Sequence, residues 1–146
     1  MPPAAPFSDI THVIQLSIAP VFLLLAAGSF LGVLSSRLAR IVDRSRIVAS
    51  RLSSLSPPEQ TKPREEIAVL MRRRTYVNYA ITFGTCAALL VCLLIVTAFV
   101  GALLGTNVSV VIAALFVLAM LAFVVALLAF LREVLLASSS MNIGVL

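Results

Sequence analysis

Few residues of this chain have side chains that could do chemistry. His12 is the only histidine and follows Asp9 by three residues, so the two share a face if the segment is helical. Such a pair can hold a proton or a cation, or simply cap a helix at a membrane boundary. Gln15 lies about one turn further along and would need a hydrogen-bond partner in lipid. Asp9, His12 and Gln15 are therefore a candidate outer polar mouth. Arg37, Arg40, Arg44 and Arg51 also share one helical face. They form a candidate basic stripe that lines a pore or faces lipid headgroups. Cys86 and Cys92 are six apart, on different faces of a helix, and read as small apolar fillers rather than a disulfide or ligand pair. The chain has no paired carboxylates at catalytic spacing, no glycine-rich phosphate loop and no metal motif. No catalytic, cofactor-binding or metal-ligating residue is expected, and no cofactor.

The elements that must position these residues follow from hydropathy. Thr75 to Leu131 is an uncharged run of 57 residues between Arg74 and Arg132. As one helix it would be about 86 Å long, against a bilayer core of about 30 Å. It is therefore two crossings that fold back once. Val13 to Ser36 adds 24 uncharged residues and a third crossing. It lacks a positive leading segment and is longer than the apolar part of a signal peptide, so a retained span is expected. With 61% hydrophobic and 12% charged residues, one membrane domain accounts for the chain.

Charge sets the expected topology. Ten of the eleven basic residues lie between Arg37 and Arg74, with four acids among them, for a net charge of +6. Basic flanks of membrane spans stay cytoplasmic. This predicts an all-α polytopic membrane protein: exterior tail 1–10, span one 11–36, cytoplasmic helical hairpin 37–75, span two 76–104, exterior turn 105–108, span three 109–131 and cytoplasmic tail 132–146. The positive charge sits where insertion requires it, so nucleic acid is not an expected partner.

Nothing breaks the first helix between Ser36 and Ser53, so it should run on to about Leu52. Ser56 and Glu59 have capping-box spacing around Pro57-Pro58, and Thr61 before Pro63 is a rival start for the returning helix. Leu38, Ile41, Val42, Ala49 and Leu52, and on the returning helix Ile67, Leu70 and Met71, form apolar stripes of a hairpin that pack on each other or on a neighbouring subunit. Asp43 is within reach of Arg40 and Arg46. Small residues recur every fourth position in Gly28 and Gly32, and again in Ala80, Gly84 and Ala88. Such rows let membrane helices approach closely and are candidate packing seams, within or between subunits.

Three stretches carry a family resemblance: Ile14-Gln15-Leu16 with Ala19-Pro20-Val21-Phe22-Leu23-Leu24, then Arg37-Leu38-Ala39-Arg40-Ile41-Val42-Asp43-Arg44, and Phe130-Leu131-Arg132-Glu133-Val134. With the three-span layout, they resemble the bacterial membrane family catalogued as domain of unknown function 2721, over about Ile10 to Ala137. The resemblance implies three helices and an inner-membrane location. It supplies no activity.

The functional expectation is a non-enzymatic integral inner-membrane protein, a homo-oligomeric scaffold or accessory subunit with a basic cytoplasmic hairpin. Its expected partners are the bilayer with its anionic headgroups, other copies of the chain and a larger membrane complex. The alternative is a homo-oligomeric pore or ion channel lined by span one with a basic cytoplasmic vestibule. A membrane enzyme ranks below both, because no catalytic constellation is visible.

Overall fold

The computed structural model describes residues 6–142, and the side chains of residues 10–138. Three helices account for nearly all of it: α1 (Pro6–Leu52), α2 (Thr61–Leu104) and α3 (Ser109–Asn142), with a 3₁₀ turn at Pro57–Gln60 leading into α2. No strand occurs among the described residues. Each helix is long and apolar enough to cross a membrane, so this is an all-α membrane protein. With 47 residues, α1 is about 70 Å long, more than twice a bilayer core of about 30 Å. Helix α3 does not stop at Leu131, where the apolar run ends. No proline or glycine lies between Arg132 and Asn142, so part of the expected tail continues the helix.

Both candidate starts for the returning helix are used. Glu59 accepts hydrogen bonds from the Ser56 hydroxyl (2.6 Å) and the Ser56 backbone N–H (3.3 Å), which organises the 3₁₀ turn, and α2 then begins at Thr61. Gln60 Nε2 donates to the Leu55 carbonyl at 3.0 Å and ties the turn to the preceding loop. The Ser56 hydroxyl, and after it the backbone N–H, hold the Glu59 carboxyl below its ordinary value. The contribution of this turn is therefore complete above the ordinary carboxylate range and is lost as pH falls through the lowered value of the folded chain. A carboxyl-carbon NMR titration should find the Glu59 midpoint below that of a free glutamate, and Ser56→Ala should raise it. An unmoved midpoint in Ser56→Ala would show that the hydroxyl does not set it.

The connection between α2 and α3 is four residues long. Gly105 has φ +64°, a left-handed conformation that glycine adopts without steric cost. The Thr106 N–H then donates to the Gly101 carbonyl at 3.1 Å and closes the end of α2. Asn107 Oδ1 accepts from the Ser109 N–H (3.1 Å) and hydroxyl (2.6 Å), which satisfies an orphan donor at the start of α3. Gly101 is buried, and a Cβ there would collide with the Val108 side chain.

The chain divides into two compact units, each with stretches of all three helices. The first comprises the chain up to Phe30 with Phe83–Val124. Its buried positions are Ser17, Pro20 and Ala27 on α1, Gly84, Ala87, Val91, Leu94 and Gly101 on α2, and Ala119 on α3. Phe30 and Phe123 meet edge to face, with ring centroids 5.6 Å apart. The Ser17 hydroxyl donates to the Val13 carbonyl at 2.8 Å and Thr97 to Leu93 at 2.7 Å, so these polar groups are satisfied within their own helices.

The second unit comprises Leu31–Thr82 and the chain from Val125. Its buried residues are Leu34, Ile41 and Val48 on α1, Leu70, Val77 and Ala80 on α2, and Ala126 and Glu133 on α3. Leu34, Ile41 and Val48 are seven apart, as are Leu70 and Val77, and Ala126 and Glu133. Burial at a period of seven is the pattern of helices that coil around one another left-handedly. Met71 and Ala49, expected in the apolar stripes of the hairpin, are exposed.

Candidate functional site

Glu133 occupies a core position of the second unit. It follows Ala126 by one seven-residue period on α3, and its side chain is 0% exposed. A carboxylate taken fully out of water must be paired and hydrogen-bonded, or it costs several kcal/mol. Arg37 Nη1 on α1 donates to Glu133 Oε2 at 2.9 Å. Arg73 on α2 donates to Oε1 through Nη2 at 2.8 Å and Nε at 3.1 Å. Three charge-assisted bonds thus converge on one carboxylate, and each helix supplies one member. Phe130 lies one turn before Glu133 on α3, and the Arg37 guanidinium carbon sits 5.0 Å from its ring centroid. Among the described residues no buried side-chain polar atom lacks a partner.

The two arginines differ from their glutamate in exposure. The Arg37 side chain is 39% exposed and that of Arg73 is 23% exposed. Each side chain is therefore only partly covered. Both arginines also line a cleft of about 290 Å³, with Arg40, Ile41, Arg44 and Leu70. Ile41 and Leu70 are buried and supply its apolar part. Arg44 Nε donates to Glu66 Oε1 at 2.7 Å, an exposed pair worth no more than about 1 kcal/mol. Arg40 is exposed and has no polar partner among the described residues.

The residues singled out by spacing are dispersed by the fold in an informative way. Three residues of the basic stripe, Arg37, Arg40 and Arg44, line the one cleft; Arg37 also pairs with Glu133, and Arg51 is exposed and does not line the cleft. Asp43 forms no ion pair among the described residues; the pairing goes between helices, from Arg44 to Glu66. Of the outer polar group, His12 lines a largely apolar cavity of about 830 Å³ in the first unit, with Leu16, Pro20, Leu94 and Phe116. Gln15 is exposed and does not line it, and the side chain of Asp9 lies outside the described residues. Ala80 and Gly84 are buried, and Ala88 is half-buried. Gly28 and Gly32 face no neighbour, and a Cβ on either would meet nothing within 4 Å.

Residue types and spacing missed Glu133 and Arg73. Their signal was the rotational phase of α3. Ala119, Ala126 and Glu133 are seven apart, so the acid falls on the same face as two small residues suited to close packing.

A family model described as "Protein of unknown function (DUF2721)" matches residues 17–143. No curated protein and no solved structure matches the chain.

Proposed function

We propose that this chain, which belongs to the DUF2721 family, is a non-catalytic, homo-oligomeric scaffold or accessory subunit of the bacterial inner membrane. In this reading the N-terminus is outside, the C-terminus is cytoplasmic, and the arginine-rich ends of α1 and α2 meet anionic headgroups. The Glu133 clasp is the observation that carries it. A buried carboxylate that draws one arginine from each of the other helices fastens α1, α2 and α3 to one another. The same clasp speaks against a pore lined by a stripe of free arginines along α1, because it ties Arg37 to Glu133 of α3.

An oligomer needs a face that the chain does not use itself, and Gly28 and Gly32 supply one. A Cβ at Gly32 meets no neighbour within 4 Å, so Gly32→Leu should leave monomer folding intact. Packing against a second copy at this face should weaken by about 1–3 kcal/mol. Crosslinking and native mass spectrometry in lipid nanodiscs would read the change. An oligomer of unchanged stability removes this face from the interface, and a monomeric wild type removes the homo-oligomer. Unitary currents from the wild type in planar bilayers would return the pore reading to first place.

A further inference from the structure

We propose that the cleft between Arg37, Arg40, Arg44 and Arg73 is a binding site for a phosphate monoester group. This deepens the reading above by naming what the basic segment takes. It rests on that reading only for the side of the membrane from which the ligand arrives.

Insertion requires positive charge near the ends of the spans and is indifferent to where each guanidinium points. Here four arginines from two helices line one cleft of about 290 Å³. Like charges gathered around a shared space repel, and an anion among them relieves the repulsion. The acids present do not balance the cleft. Glu133 and Glu66 oppose four arginines, which leaves a local charge of +2. A phosphate monoester carries about −1.5 to −2 at neutral pH, whereas a phosphodiester carries only about −1.

The donor inventory points the same way. Each guanidinium has five N–H groups in a rigid fork. Glu133 takes one from Arg37 and two from Arg73, Glu66 takes one from Arg44, and Arg40 gives none. Most of the N–H groups of these four arginines therefore have no acceptor among the described residues. A terminal phosphate, with three acceptor oxygens, suits several forks at once. Ile41 and Leu70 lower the local polarity, which strengthens such contacts. The clasp to Glu133 meanwhile fixes Arg37 and Arg73, so less side-chain entropy is lost on binding.

A phosphate monoester could be a lipid headgroup or a soluble species, and the test separates them. Full-length protein in neutral detergent is titrated with phosphatidic acid, with phosphatidylglycerol and with inorganic phosphate. The variants are Arg40→Gln and, as a control of equal charge, Arg46→Gln, which is exposed on α1 and does not line the cleft. Phosphatidic acid should bind about tenfold tighter than phosphatidylglycerol, and Arg40→Gln should weaken it about tenfold, the worth of one charge-assisted contact. Arg46→Gln should change affinity less than about twofold, as expected of a screened surface charge. Inorganic phosphate that binds with the same Arg40 dependence, and without lipid preference, assigns the site to a soluble phosphate. Equal losses from Arg40→Gln and Arg46→Gln, or no preference for monoesters of either kind, would overturn the site and leave only diffuse attraction. Neither result touches the oligomer, which Gly32→Leu reads separately. Arg40 makes no polar contact among the described residues, so an unchanged unfolding midpoint should verify that its variant is folded.

Discussion

Replacing Arg37 and Arg73 together by alanine should destabilise the protein by about 3–5 kcal/mol, the cost of leaving a buried carboxylate without its partners. The asymmetry of the clasp makes the outcome specific. Glu133 has no exposure of its own, whereas Arg37 and Arg73 are 39% and 23% exposed. Removing the acid lets both arginines turn to water; removing the arginines strands the acid. Glu133→Leu alone should therefore cost clearly less than the double arginine variant. Adding Glu133→Leu to that double variant should restore much of the loss, because a buried ion cluster replaced by apolar groups of similar volume is often as stable as the original. Arg37→Lys should not substitute well, since lysine keeps the charge but loses the planar contact with Phe130. Unfolding midpoints in mixed micelles would rank these variants. A double arginine variant as stable as wild type would mean that the clasp contributes nothing to the fold.

Gly101→Val should cost about 1–3 kcal/mol, the usual range for overfilling a packed site. Glycine within a helix is ordinarily a weakness of about 1 kcal/mol relative to alanine. A substitution at Gly101 would gain on that count, but Val108 occupies the space that the new side chain needs. Val108 branches at Cβ and has few rotamers with which to move aside. It also stands in the short connection whose shape is set by Gly105 and by the bond from Thr106 to Gly101. Combining Gly101→Val with Val108→Ala should recover most of the lost stability. A double variant no better than the single one would place the cost elsewhere in the turn.

The three helices were legible because their signals are long and redundant. Uncharged runs on either side of Arg37–Arg74 give the crossings, and the lack of a breaker from Ser36 to Leu52 gives the continuation of α1. The site was less legible because it depends on rotation about helix axes. Spacing puts Arg37, Arg40, Arg44 and Arg51 on one face, but not which neighbour that face meets. A neighbour 96 residues away in sequence captures Arg37. Small-residue rows have the same limit. They mark where a backbone can come close, and Ala80 and Gly84 are used so while Gly28 and Gly32 remain open. The end of the apolar run at Leu131 marks a change of polarity and not the end of α3, which continues to Asn142 because polarity alone does not stop a helix.

The clasp joins residues 60 and 96 positions apart, and its acid is on the last helix to be made. During synthesis Arg37 and Arg73 are made 96 and 60 residues before the acid that they share. A chain that stalls after α2 carries these two arginines without the carboxylate that they share. Arrival of α3 both completes the helix count and brings the one carboxylate that the two arginines share.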